Sequence, residues 1–146
     1  MLEVSSITNN HNDRQKIGEL DCVRRWLTVY NAINQTTYEC LRANYFQSEV
    51  DVYAYRDKES GRPLRVQVSR AKQNTLTQII EKKKNLYFSS DKADLILLID
   101  FQGDGQLAEI VKWQKKHLDL LSNAGFWEIW LAGRGSLIVE LWPGRA

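Results

Sequence analysis

Cysteine is scarce in this 146-residue chain: Cys22 and Cys40 are the whole complement. Two thiols cannot form a disulfide scaffold, and their separation lacks metal-ligand spacing, so they read as reduced thiols of an intracellular protein. Histidine is as rare, with His11 and His117 too far apart in sequence to suggest a metal pair, and both read as surface residues. No apolar run reaches 18 residues, and "MLEVSSITNNHNDRQK" lacks the apolar stretch of a signal peptide. A cytoplasmic location with no membrane partner is expected. Net charge is almost absent as well, at +2, so any nucleic-acid footprint has to be local. No internal repeat or low-complexity linker divides the chain. Residues 1–11 are expected to be a loose N-terminal segment, and 12–146 a single domain.

What the chain does have is bulk and pattern. Hydrophobic residues make up 43% and charged residues 26%, a globular balance, and five Trp and six Tyr supply material for a core. In "NDRQKIGELDCVRRWLTVYNAI", Ile17, Leu20, Val23, Leu27 and Tyr30 recur at helical steps, with Asn12 or Asp13 available as a cap. "TTYECLRA" reads as a short strand. "SEVDVYAYRD" alternates, with Val50, Val52 and Ala54 on one face and Glu49, Asp51, Tyr53 and Tyr55 on the other. Gly61 and Pro63 mark a hairpin turn, and "LRVQVS" returns. "NTLTQIIEKKKNLYF" is a second helix with Leu76, Ile79, Ile80 and Tyr87 inward.

"ADLILLID" is apolar on both faces, as a buried central strand should be. One long helix follows in "GQLAEIVKWQKKHLDLLSNAG", closed by Gly125, and then the strands "FWEIWLAG" and "SLIVELW" around the Gly133–Gly135 turn. The order αβββαβαββ predicts an α/β domain, a mixed sheet flanked by helices. Trp127, Trp130 and Trp142 are expected in the core or in a dimer contact. "DFQGDG" looks like the front of a calcium loop at Asp100 and Asp104, but no Glu follows at the twelfth position, so it reads as a plain turn.

The polar residues that remain suggest chemistry. Glu19 lies on the first helix, Asp51 on the second strand and Gln67 on the third. Asp51 and Gln67 each sit opposite their strand's valines, so they are expected to share a face across the hairpin. Lys72, just beyond, could swing an ammonium back toward them. Oxygen ligands suit Mg²⁺ or Mn²⁺, which lower the pKa of a bound water, and a lysine beside the metal stabilises a developing oxyanion. Arg56 to Lys84 holds nine Lys or Arg against three Asp or Glu, a basic stretch suited to phosphate contact through Arg65, Arg70, Lys82, Lys83 and Lys84. The plainer reading of "EKKK" is a solvated helix face.

"IGEL", "EVDVYAY" and "VQVSRAK" together resemble the PD-(D/E)XK nuclease superfamily, the restriction-endonuclease-like fold. "VQV" followed by a lysine is similar to the variant motif of small intron-encoded homing endonucleases of that fold. The resemblance implies a metal-dependent endonuclease acting on double-stranded DNA, with Asp51, Glu19 and Gln67 as metal ligands and Lys72 as the catalytic lysine. Two strands to cut imply a homodimer or higher homo-oligomer. Val50 replaces the motif's proline, and Ser69 stands in the usual lysine slot. The runner-up expectation is therefore a non-catalytic relative that binds nucleic acid or assembles with it, and a third is an unrelated α/β interaction domain.

Overall fold

The structure, a computed structural model, describes residues 18, 20–40, 52–85, 92–103 and 106–144. Helix α1 (residues 20–34) leads into β1 (Tyr38–Cys40), β2 (Val52–Asp57) and β3 (Pro63–Ala71). A 3-10 turn at Gln73–Thr75 opens α2 (Leu76–Lys84), and β4 (Leu95–Phe101) follows. Helices α3 (Leu107–Lys116) and α4 (Leu118–Asn123) then precede β5 (Glu128–Ala132) and β6 (Ile138–Trp142).

The six strands form one mixed sheet in the order β1-β2-β3-β4-β5-β6. The pairs β1–β2, β2–β3 and β5–β6 are antiparallel, while β3–β4 and β4–β5 are parallel. Parallel neighbours need crossovers, which α2 and the α3–α4 pair supply. Both crossovers pack on the same face, as they must when each moves one strand onward with the usual right-handed turn. Helix α1 covers the opposite face.

The sequence accounts for this layering. Every residue of β4 is buried, with Leu95, Leu97, Ile99 and Phe101 in the α2–α4 core and Ile96 and Leu98 in the α1 core. On α1, Val23, Trp26, Leu27 and Tyr30 follow at i, i+3, i+4 and i+7, and all point into the sheet. Trp26, Tyr30 and Trp130 meet there, at ring separations of 4.9 to 6.0 Å. Burying side chains of this size stabilises by roughly 1.5–3 kcal/mol each.

The β2–β3 hairpin is held by Asp57. Its carboxylate accepts from the backbone and hydroxyl of Thr37 at 2.8 Å each, and from the backbone and hydroxyl of Ser60 at 3.0 and 2.6 Å. The Ser60 hydroxyl and then the Thr37 amide hold this carboxyl well below the usual range. Gly61 takes φ 74° in the turn, where a side chain would strain the backbone.

Two expectations need correction. The long helix expected over 105–125 divides at His117, whose φ −122° and ψ 27° interrupt the ladder between α3 and α4. His117 is not a bare surface residue. It stacks on Trp113 at 4.5 Å, and its Nδ1 lies 2.8 Å from the Trp113 carbonyl. Of the tryptophans expected in the core or in a dimer contact, Trp130 is buried and Trp127 stands 45% exposed. The cap expected at Asn12 or Asp13, and the inward Tyr87, lie outside the described residues. Among the described residues no helix is long and apolar enough to cross a membrane.

Candidate functional site

Strand β3 carries polar side chains to both faces of the sheet. Pairing puts Gln67 beside Leu97 and Ser69 beside Ile99, on the face that α2 to α4 cover. Gln67 is fully buried and Ser69 nearly so, at 0% and 7% exposure. Among the described residues, neither the carboxamide nitrogen nor the oxygen of Gln67 has a hydrogen-bond partner, and neither has the Ser69 hydroxyl. A buried polar group left unpaired costs about 1–3 kcal/mol, so two residues in that state, two positions apart on one face of β3, call for an explanation.

The register also corrects how the hairpin faces were expected to meet. Gln67 is paired with Val52, and Val66 with Tyr53. The valine positions of β2 and β3 therefore fall on opposite sides of the sheet, because the turn, not the hydrophobic pattern alone, sets the register. Asp51 and Glu19 themselves lie outside the described residues.

Lys72 is exposed, one residue beyond the end of β3. Its amide donates to the Thr75 hydroxyl at 2.9 Å and its carbonyl accepts from that hydroxyl at 3.1 Å, so it anchors the 3-10 turn. It lies five positions from Gln67, ~16 Å along an extended strand, and on the other side by alternation. The structure does not bring Lys72 to Gln67 through the strand itself.

The expected phosphate contacts are dispersed. Arg65 pairs with Asp94 at 3.4 Å. Lys82, Lys83 and Lys84 form the last turn of α2, where cations oppose the helix dipole. The Lys84 carbonyl accepts from buried Lys92 Nζ at 2.5 Å, and burial, then the charge of Lys84, lowers the Lys92 pKa. Arg70 sits elsewhere, on the α1 face.

There, at the C-terminal ends of β3 and β4, Arg70 Nε lies 3.8 Å from Oδ2 of Asp100. The Asp100 carboxylate is nearly buried and bonds to the Cys22 thiol and the Gln102 side chain. Burial raises its pKa, against the pull of Arg70, Gln102, Arg25 and Cys22. Burial, with Asp100 beside it, pushes the Cys22 thiol up to about 12. Arg25 donates from Nη1 to the carbonyls of Gly133 and Gly135, at 2.8 and 3.3 Å, and from Nε to Asp21 at 3.3 Å.

Asp100 was expected in a buried strand and a plain turn, not in a site. The signal available was the one carboxylate in a strand that is otherwise wholly apolar.

No protein-family model, curated protein or solved structure matches this chain. Among the described residues no group of three or more His, Cys, Asp or Glu is placed to hold a metal ion.

Proposed function

We propose that this chain is a metal-dependent DNA endonuclease of the PD-(D/E)XK kind, built on the restriction-endonuclease-like fold. The observation that carries the reading is the buried, unpartnered pair Gln67 and Ser69 on one face of β3. The sequence of elements supports it: a leading helix, an antiparallel meander of three strands, then a helix crossing to a parallel fourth strand. In the family's pattern the third of those strands carries the motif that Gln67 and Ser69 occupy here.

The donor set suits the metal in one respect. The Gln67 carboxamide oxygen is a hard ligand with no other partner. To hold Mg²⁺ or Mn²⁺ with it, Asp51 and Glu19 would have to reach the face under α2 to α4, whereas α1 covers the other; the ion would then lower the pKa of a bound water and offset charge on the phosphate. Ser69 could hydrogen-bond a water but supplies no charge. Lys72 or Arg70 would have to provide the cation. Cleavage of both DNA strands would need a homodimer or a higher homo-oligomer, and a cytoplasmic location accords with this reading.

A second reading is favoured by one specific arrangement. Ser69 fills the lysine slot, and Lys72 anchors a turn past the strand end. On that reading the chain keeps the fold and binds nucleic acid without cutting it.

Incubation of supercoiled DNA with the protein and Mg²⁺ or Mn²⁺, against a chelated control, separates the two. Metal-dependent nicking that Asp51→Ala abolishes supports the endonuclease. Duplex binding that weakens with salt but leaves DNA intact supports the non-catalytic relative. Absence of both removes both readings. Replacing Lys82, Lys83 and Lys84 by Gln tests the α2 cations: loss of phosphate contacts flattens the salt slope by up to about 0.9 per contact.

A further inference from the structure

Arg25, Arg70 and Arg134 line a pocket of about 230 Å³ with Gly18, Asp100 and Gln102. The fold assembles it from three places. On α1 and its approach, Gly18, Cys22 and Arg25 follow at i, i+4 and i+7, one stripe along the helix flank. Arg70 and Asp100 are paired positions near the ends of β3 and β4. Arg134 belongs to the turn after β5, which Arg25 clamps through the carbonyls of Gly133 and Gly135. The pocket thus lies at the carboxyl ends of three successive parallel strands, where open α/β sheets bind their ligands.

Three guanidinium groups line it beside the Asp100 carboxylate, and Arg25 is also paired with Asp21. The Asp100 oxygens are engaged by the Cys22 thiol and the Gln102 side chain. The Arg70 contact to Asp100, at 3.8 Å, is longer than a hydrogen bond. Arg70 is 43% exposed at its side chain, and no described residue accepts a hydrogen bond from its guanidinium. Arg25 is fixed by its Nε and Nη1 bonds.

From this we infer that the pocket binds a phosphate group, with Arg70 as its principal ligand-contacting residue. A phosphate monoester carries about −1.5 to −2 charge near neutral pH, which suits an arginine-lined pocket better than the single charge of a carboxylate would. Planar guanidinium forks suit its oxygens. Asp100 serves as the internal anchor that keeps the arginines gathered when the pocket is empty. This site lies on the opposite face of the sheet from Gln67, and it stands whether or not the chain is a nuclease. Free phosphate, phosphorylated small molecules and the 5′ end of a polynucleotide share the chemistry.

The test is titration calorimetry of the full chain without divalent metal. Inorganic phosphate is one ligand, and the others are an oligonucleotide with a 5′-phosphate and its 5′-hydroxyl counterpart. Saturable binding of inorganic phosphate by the wild type is expected. Arg70→Gln should weaken it by about tenfold or more, because a hydrogen bond to a charged group is lost. Arg70→Lys, which keeps charge without the fork, should fall between. Stronger binding of the 5′-phosphorylated strand than of its 5′-hydroxyl form would name a polynucleotide end as the ligand; equal binding of the two would name a small phosphorylated one. If Arg70→Gln does not fold, Arg134→Gln, in an exposed turn, replaces it with the same expectation. The inference is overturned if the wild type binds phosphate no more tightly than about 10 mM, or if the folded variant binds as the wild type does. No cleavage is read, so an inactive nuclease leaves the outcome intact.

Discussion

The two faces of β3 treat polar side chains in opposite ways. On the face toward α2, Gln67 and Ser69 are sealed in mid-strand among Leu97 and Ile99, and their polar atoms have no partner among the described residues. On the face toward α1, Val66 and Val68 fill the strand's middle, and the polar residue, Arg70, waits until the strand end. Arg70 keeps water access and a carboxylate nearby. Polar groups at a strand end are inexpensive, since solvent and loop residues can satisfy them. Polar groups in mid-strand have no such outlet and lower stability unless something binds them. The first arrangement is therefore the stronger sign of selection for function, and the second is the one able to take a ligand without rearrangement.

A buried charge on the sealed face should have the largest effect. Ser69→Asp buries a carboxylate beside Ile99, at a cost of about 3 kcal/mol or more, and a melting point lower by ~10 °C. Differential scanning calorimetry measures it. Recovery of the melting point on adding Mg²⁺ would show that this face takes a cation. An unchanged melting point without metal would show that the face is wet, and the contrast between the two faces would fail.

Next in size is a gain. Gln67→Leu exchanges two unpaired polar atoms for an apolar side chain beside Leu97 and should raise stability by about 1–2 kcal/mol. Denaturant titration at constant m-value tests it. On the endonuclease reading the same variant loses metal-dependent cleavage, a trade of function for stability. Destabilisation would mean that Gln67 has a hydrogen-bonding partner in solution.

The α1 face has its own signature in alkali. The Cys22 pKa rises from 9.0 unfolded to about 12 folded, first through burial and then through Asp100. A raised folded pKa contributes stability that is complete below pH 9 and is lost as pH rises toward 12. The wild type should thus lose ~1.4 kcal/mol per pH unit over that window, relative to Cys22→Ala. Tyr38, whose pKa burial also raises, is common to both proteins and cancels in the difference. Parallel stability curves from pH 8 to pH 10 would place the thiol in contact with solvent.

Local signals carried much of the fold. The unbroken apolar run of Leu95 to Ile99 could only be a strand buried on both faces, and the three- and four-residue spacing from Val23 to Tyr30 could only be an amphipathic helix. The break at His117 had no Pro or Gly to announce it; tertiary packing of Trp113 and Leu121 decides it. The burial of Gln67 was hidden for a similar reason. Alternation shows which residues share a face, but the helix that covers that face is fixed by the crossover to β4. The Cys22–Asp100–Arg70 cluster was least legible of all, because its members lie on α1, β4 and β3 and meet only in the folded chain. Asp51 and Glu19 rest on the motif alone.

The smallest effect on stability should come from the most functional-looking cation. Arg70 contributes one ion pair at 3.8 Å, and its side chain is 43% exposed. Exposed pairs are worth about 0–1 kcal/mol because water screens them and holding a long side chain costs entropy. Asp100 would keep the Cys22 thiol, the Gln102 side chain and the field of Arg25 after Arg70 is removed. Arg70→Gln should therefore shift unfolding by less than about 1 kcal/mol, measured by urea titration at pH 7. That small value gives the comparison its edge: on the sealed face a polar-to-apolar change should move stability, while on the open end loss of a full charge should not. A loss above about 2 kcal/mol would make Arg70 the structural counter-ion of Asp100. The two faces of β3 would then differ in exposure and not in purpose.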